Sequence, residues 1–522
     1  MRKRSVSCTF GLCLALCSGV WLWLALRSRP ASSASPAATA SSLAWGFRMS
    51  MMDLNRGVLD VEMALPARGP STEPSSFCLF MEGAGQFVRD PRLVDPPSGS
   101  GLVADPEDRD CWEVRPSPQG LWPRKLSYRV DLKAMAARHG EPDYAEHIDA
   151  TYVWNEQSVL LHPTPLPSAG RIDLELTLPA NTPLSVPWSE VPAPAGSRSR
   201  HFQSDSAQHD MGSYVVFGPR LRPLGKLGLP TGKGAANASA ASAHLQLIDL
   251  PHRATDEALR TWMQQALGTV AGFYRDLMPS DVSVTLVPMS GSSDPGIYGT
   301  VLRPLRPSAI IYFGSESQAL NLHDDWLATH ELFHIGNPYI KGRLPWLIEG
   351  FTTYYQEVLR ARTGAVRSDE AWADMLRVLG RYCQPQDGRS LAEDSRTMRK
   401  THRYQRVYWG GACVALGLDL SIRARALRTV GGTGPGMPDS SLDDVFRRLR
   451  RKSLQHPLSE DEVLSTLDAA AGERLASRWL NETRALPLAD WLRRLGVKAS
   501  SDGQSALFDD RAPLAAVRRA IF

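Results

Sequence analysis

Asp325-Trp-Leu-Ala-Thr-His330-Glu331-Leu332-Phe333-His334-Ile-Gly336-Asn-Pro338 decides how the chain is read. Apolar residues recur at helical spacing through it, and Gly336 and Pro338 supply the stop, so His330 and His334 fall on one helix four residues apart. Side chains at that spacing leave the same face about one turn apart, where two imidazoles reach a single zinc ion. Glu331 points beside them, placed to take a proton from an activated water.

Zinc needs a third protein ligand and one position left open. Fifteen residues after His334, the run Pro345-Trp-Leu-Ile-Glu349-Gly-Phe-Thr-Thr-Tyr-Tyr-Gln-Glu357 begins with a proline suited to the first turn of a new helix. Glu349 is flanked there by Leu347, Ile348 and Phe351. A carboxylate in such surroundings is costly unless paired or ligating, which makes it the third candidate. Thr353, one turn further on, is a candidate contact to a ligand.

Outward from this centre the pattern changes character. On the N-terminal side, residues 45–222 carry strand signals: Leu126-Ser-Tyr-Arg-Val-Asp-Leu132 and Ile172-Asp-Leu-Glu-Leu-Thr-Leu178 alternate apolar and polar residues, and Tyr214-Val-Val-Phe217 is a short apolar run. Frequent Pro and Gly between them predict a β-sandwich-like domain. Residues 223–244, rich in Gly, Ala, Lys and Ser, read as a linker or long loop. A helical period over 254–278 and an alternating strand over 282–287 open the catalytic region, 245–368. The strand Ile310-Ile-Tyr-Phe313 is expected to offer its edge to an extended peptide. Residues 369–500 read as an α-helical subdomain and 501–522 as a C-terminal tail.

The chain has 522 residues, 43% hydrophobic and 22% charged, a balance that excludes a wholly disordered or multi-spanning membrane protein. Its 59 basic and 55 acidic residues leave a net charge of +4, too small and too dispersed to predict a nucleic-acid partner. Arg2, Lys3 and Arg4 precede residues 5–26, which carry no charge. A helix of that length just spans a hydrocarbon core of about 30 Å, so residues 1–27 read as a signal anchor, or a signal peptide, with 28–44 a flexible tether. Either places the catalytic region outside the cytoplasm, membrane-anchored or, after cleavage, secreted. Beyond that segment lie Cys78, Cys111, Cys383 and Cys413. Cys78 with Cys111 is the natural local pair, though four cysteines allow three pairings and free thiols are an alternative.

His330-Glu-Leu-Phe-His334 followed by Trp346-Leu-Ile-Glu349-Gly-Phe-Thr-Thr-Tyr-Tyr355, with Tyr408-Trp-Gly-Gly411 beyond, resembles the gluzincin metallopeptidases and most closely their glycyl aminopeptidase family. The resemblance implies an α+β protein: an N-terminal β domain, a thermolysin-like zinc domain of a small sheet plus helices, and the helical subdomain. It implies one zinc ion on His330, His334 and Glu349, Glu331 as general base, a peptide or protein substrate, and Tyr408 as the donor to the oxyanion, with Tyr404 the alternative. Pro295-Gly-Ile-Tyr298-Gly299 departs from the family, which carries a glutamate for the substrate's free amino group where Tyr298 stands. Aminopeptidase-like hydrolysis is therefore expected, with an endopeptidase or a catalytically degenerate peptide-binding protein as alternatives.

Overall fold

The alternations in the N-terminal half become strands of three sheets. In Lys125–Asp131, Leu126, Tyr128 and Val130 are buried, and in Arg171–Thr177, Ile172, Leu174 and Leu176 are buried, so each strand turns one face to the core. Both belong to a seven-stranded sheet, and two four-stranded sheets complete this part. Trp45, Trp112, Trp154 and Trp188 lie in the core enclosed between them. The computed structural model describes residues 45–522 apart from 66–74, 165–169, 195, 206–211, 231–240, 305 and 430–439. The expected anchor or signal segment and its tether lie outside the described residues, among which no helix is long and apolar enough to cross a membrane.

A five-stranded mixed sheet follows, in the order Leu221–Gly228, Ser242–Ile248, Asp281–Met289, Ser308–Gly314, Tyr298–Leu302. Two expectations are corrected here. The supposed linker 223–244 begins and ends in strands, because Leu221–Gly228 and Ser242–Ile248 pair antiparallel as the first two strands, with a bulge between Pro223 and Gly225. Leu224, Leu227, Ala243 and Leu245 are buried in the catalytic core, whereas Gly225, Lys226, Gly228 and His244 are exposed. The strand around Ile310 also has no free edge, since its two sides are taken by Asp281–Met289 and Tyr298–Leu302. The edge strands of this sheet are Leu221–Gly228 and Tyr298–Leu302, the second lying beside the motif helix.

Helices cover this sheet and continue to the C-terminus. The long helix Asp256–Tyr274 is capped by Thr255 and buries Leu259, Trp262, Met263, Leu267 and Val270. Pro345–Arg362 packs extensively along Tyr404–Thr429 in the same core. The expected tail 501–522 is structured: Ala506–Phe508 pairs with Val497–Ala499, and Ala515–Ile521 is a helix whose Ile521 is fully buried. Disulfides join Cys78 to Cys111 and Cys383 to Cys413.

Candidate metal centre

The helix Leu327–Phe333 begins where Asp325 accepts main-chain N–H bonds from Leu327 (2.8 Å) and Ala328 (3.1 Å). The indole N–H of Trp262 holds the same carboxylate at 2.8 Å, tying the helix start to the long helix beneath it. His330 lies in this helix and His334 at its C-cap, still in helical conformation. Pro345 occupies the first turn of the next helix, as expected, and places Glu349 one turn in.

These elements converge. The Nε2 atoms of His330 and His334 each lie 3.5 Å from Oε2 of Glu349, and all three side chains are buried. Among the described residues, these three are the group of metal-capable side chains whose donor atoms come together, within 4.8 Å of one another. Ligand arms of about 2.0–2.1 Å at tetrahedral angles separate donors by about 3.3 Å, so a zinc ion fits this set.

The charge states suit a cation. Burial drives His334 down to about 4, so its imidazole is neutral and able to ligate. For Glu349 burial acts upward, but the flanking imidazoles outweigh it and hold the carboxylate well below its usual range. Burial raises Glu331 to about 8 in the metal-free chain, and a nearby divalent cation acts in the opposite direction. Glu331 packs against the edge strand at Gly299, where an added Cβ would come within 2.5 Å of its Cγ. A side chain there would displace Glu331.

Residues that hold the ligands were missed at the sequence level. The Nδ1–H of His330 donates to Oε1 of Gln356 at 2.7 Å. Gln356 is itself oriented by donating from Nε2 to Glu357 (2.9 Å), which pairs with Arg360 at 3.0 Å. Because the carboxylate can only accept, the amide oxygen must face His330, which fixes the proton on Nδ1 and leaves Nε2 for a metal. Asn337 does the same for His334, its amide lying 2.9 Å from Nδ1. The amide nitrogen is placed toward His334, which would ask the single hydroxyl proton of Tyr274 to serve both Phe333 O (3.0 Å) and Asn337 Oδ1 (3.1 Å). Turning the amide over lets Oδ1 accept from His334 and Nδ2 donate to Tyr274, and it requires the Thr352 hydroxyl, which donates to the Ile348 carbonyl at 2.6 Å, to turn and donate to Oδ1 instead. Thr352, not Thr353, approaches this network, 3.2 Å from Asn337. Glu349, Thr352 and Gln356 share the i, i+3, i+7 spacing of one helix face, a signal present in the sequence.

Tyr408 lies near His330, with ring centroids 6.1 Å apart and planes within 13°. Tyr404 lies one turn earlier, and its ring neighbour is His402 at 6.1 Å. Tyr298 turns toward the N-terminal domain, 5.5 Å from the Tyr312 ring.

Comparison with known proteins agrees with this geometry. Residues 337–409 match the model of the M61 glycyl aminopeptidase family. No curated protein sequence matches the chain. Among solved structures, an aminopeptidase N family protein from Idiomarina loihiensis superposes with a TM-score of 0.65 at 14% identity, covering 87% of this chain and 79% of that one. An M1 zinc metallopeptidase from Deinococcus radiodurans gives 0.54 at 15%, covering 86% and 95%. Yeast LTA4 hydrolase in complex with bestatin gives 0.54 at 11%, covering 88% and 71%. At these identities the structural likeness carries the fold, and the family match covers the segment from Asn337 through the third ligand to Trp409. The chain thus shares the fold of the zinc aminopeptidases among these structures, and its segment 337–409 is similar to the M61 glycyl aminopeptidases, the family its motifs resemble.

Proposed function

We propose that the protein hydrolyses peptide bonds as an aminopeptidase-like enzyme, using one zinc ion on His330, His334 and Glu349 with Glu331 as general base. The convergence of those three donors, with Gln356 fixing His330 in the ligating tautomer, carries the reading. A zinc ion there would supply Lewis-acid polarisation of the scissile carbonyl and lower the pKa of a coordinated water from near 16 to about 7. Glu331 takes the proton of the attacking water and returns it to the leaving amine. The Tyr408 phenol, a neutral donor at pH 7 whose ring lies beside His330, would donate to the oxygen that gains charge, a contribution of about 3 kcal/mol. An extended substrate pairs main chain to main chain along Tyr298–Leu302.

Glu331→Gln is the direct test of the base: turnover should fall by at least about a thousandfold with zinc retained, and undiminished turnover would reject it. Tyr298 in place of an acidic residue favours a second reading, an endopeptidase without need of a free N-terminus. Rates on free and N-acetylated forms of one peptide separate the two, since the aminopeptidase reading requires the acetylated peptide to resist cleavage. We also infer that the catalytic region works outside the cytoplasm, a reading supported by the two disulfides.

A further inference from the structure

The chain leaves the motif helix through a short 3₁₀ turn, His334–Gly336, and straightens at Asn337 because Pro338 disfavours a helical residue before it. The carbonyl of Asn337 therefore points away from the turn and needs donors. Two buried arginines from different parts of the fold supply them. Arg303, just beyond the edge strand, donates from Nη1 at 2.8 Å, and Arg450, from the helix Leu442–Ser453, donates at 3.2 Å. Tyr339 lies beside both, with its ring centroid 4.6 Å from the Arg450 guanidinium carbon and 5.5 Å from that of Arg303. Its hydroxyl donates to the Arg303 carbonyl at 3.0 Å.

Two guanidinium groups on one carbonyl form a costly arrangement, because like charges are brought together out of water. Burial pushes Arg303 down to about 10, and Arg450 acts in the same direction, whereas Glu349 draws it back up. The charge is thus felt at the metal centre. One such donor would satisfy the carbonyl, so the pair calls for a further reason, and the residue it grips supplies one. The Asn337 side chain orients the imidazole of His334.

We propose that Arg303 and Arg450 are positioning residues for the metal centre, clamping the Asn337 main chain so that its side chain holds His334 in the ligating tautomer. The inference rests on the zinc reading above and extends it to two residues remote in sequence. The clamp also ties the helix Leu442–Ser453 to the residue just beyond the edge strand through the Asn337 carbonyl, and Arg303 reaches the Pro338 carbonyl at 3.4 Å as well.

Zinc affinity of the full chain, measured by chelator competition, tests the clamp without relying on activity. Arg450→Gln and Arg303→Gln should each weaken zinc about ten- to hundredfold, and Arg450→Lys, which keeps a donor and a charge, should recover part of the loss. Arg447→Gln, on the same helix but bonded to Asp444 and the Phe273 carbonyl, should bind zinc like the unaltered chain. Unchanged affinity in a folded Arg450→Gln or Arg303→Gln variant would overturn the clamp while leaving the zinc site standing. An equal loss in Arg447→Gln would also overturn it, by showing a general effect of the helix. No zinc binding by the unaltered chain would overturn both readings.

Discussion

Carboxylates largely removed from water are pushed in opposite directions in two parts of the molecule. Glu349 lies between two imidazole nitrogens and stays ionised. Asp143, Glu146 and Glu156, in the N-terminal half, accept hydrogen bonds from neutral donors, among them the Tyr214 hydroxyl at 2.8 Å, the Tyr312 hydroxyl and the Trp188 indole. Burial raises them to about 8, about 7 and about 8. The contrast shows that the partner, not the depth, decides whether a buried acid can ligate a cation. A phenol or indole stabilises a carboxylate too weakly to offset desolvation, whereas paired imidazoles do so and can exchange their role for a metal.

The largest effect should come from removing the ionised member. Glu349→Leu takes away a ligand, and zinc affinity should fall by more than the roughly hundredfold typical of outer contacts; chelator competition reads it. Gln356→Leu keeps all three ligands but frees the His330 tautomer, and the same assay should show a loss of about ten- to hundredfold.

Gly411→Ala tests the scaffold behind Glu349. A Cβ at Gly411 would sit 2.1 Å from the Trp346 carbonyl oxygen and 2.7 Å from Gly350 Cα, so the helices bearing Glu349 and Tyr408 would be forced apart. Denaturant unfolding should show a loss of about 1–3 kcal/mol. The smallest effect belongs to the protonated set. The folded chain keeps a proton on Asp143 up to about pH 8, whereas the unfolded chain releases it near 4. Its contribution to stability is therefore lost as pH rises through that window. Asp143→Asn should flatten the stability profile between pH 5 and 8 by on the order of 1 kcal/mol per pH unit, and an unaltered slope would show that Asp143 is ionised.

Much of this centre was legible in sequence because its ligands obey local rules. His330 and His334 share a helical face by spacing, Pro345 announces the next helix, and Glu349 is conspicuous among apolar neighbours. Gln356 and Asn337 escaped notice because an amide has no distinctive signature until its partner is in place. Thr353 was preferred to Thr352 through an error of one residue in helix phase, which rotates a side chain by about 100°. The edge strand was misassigned for a different reason. Alternation around Ile310 announces a strand, but which strand lies outermost depends on pairing between distant segments. The strand Leu221–Gly228 was hidden by the exposed Gly225, Lys226 and Gly228 and by its bulge, although Leu227 and Leu229, and Ala243, Leu245 and Leu247 in the next strand, keep the inward period.

The zinc content of the purified full chain tests the central claim most directly. One zinc per chain is predicted, falling to none when His330, His334 and Glu349 are replaced together. A chain that binds no zinc, or a triple variant that still carries one, would contradict the account.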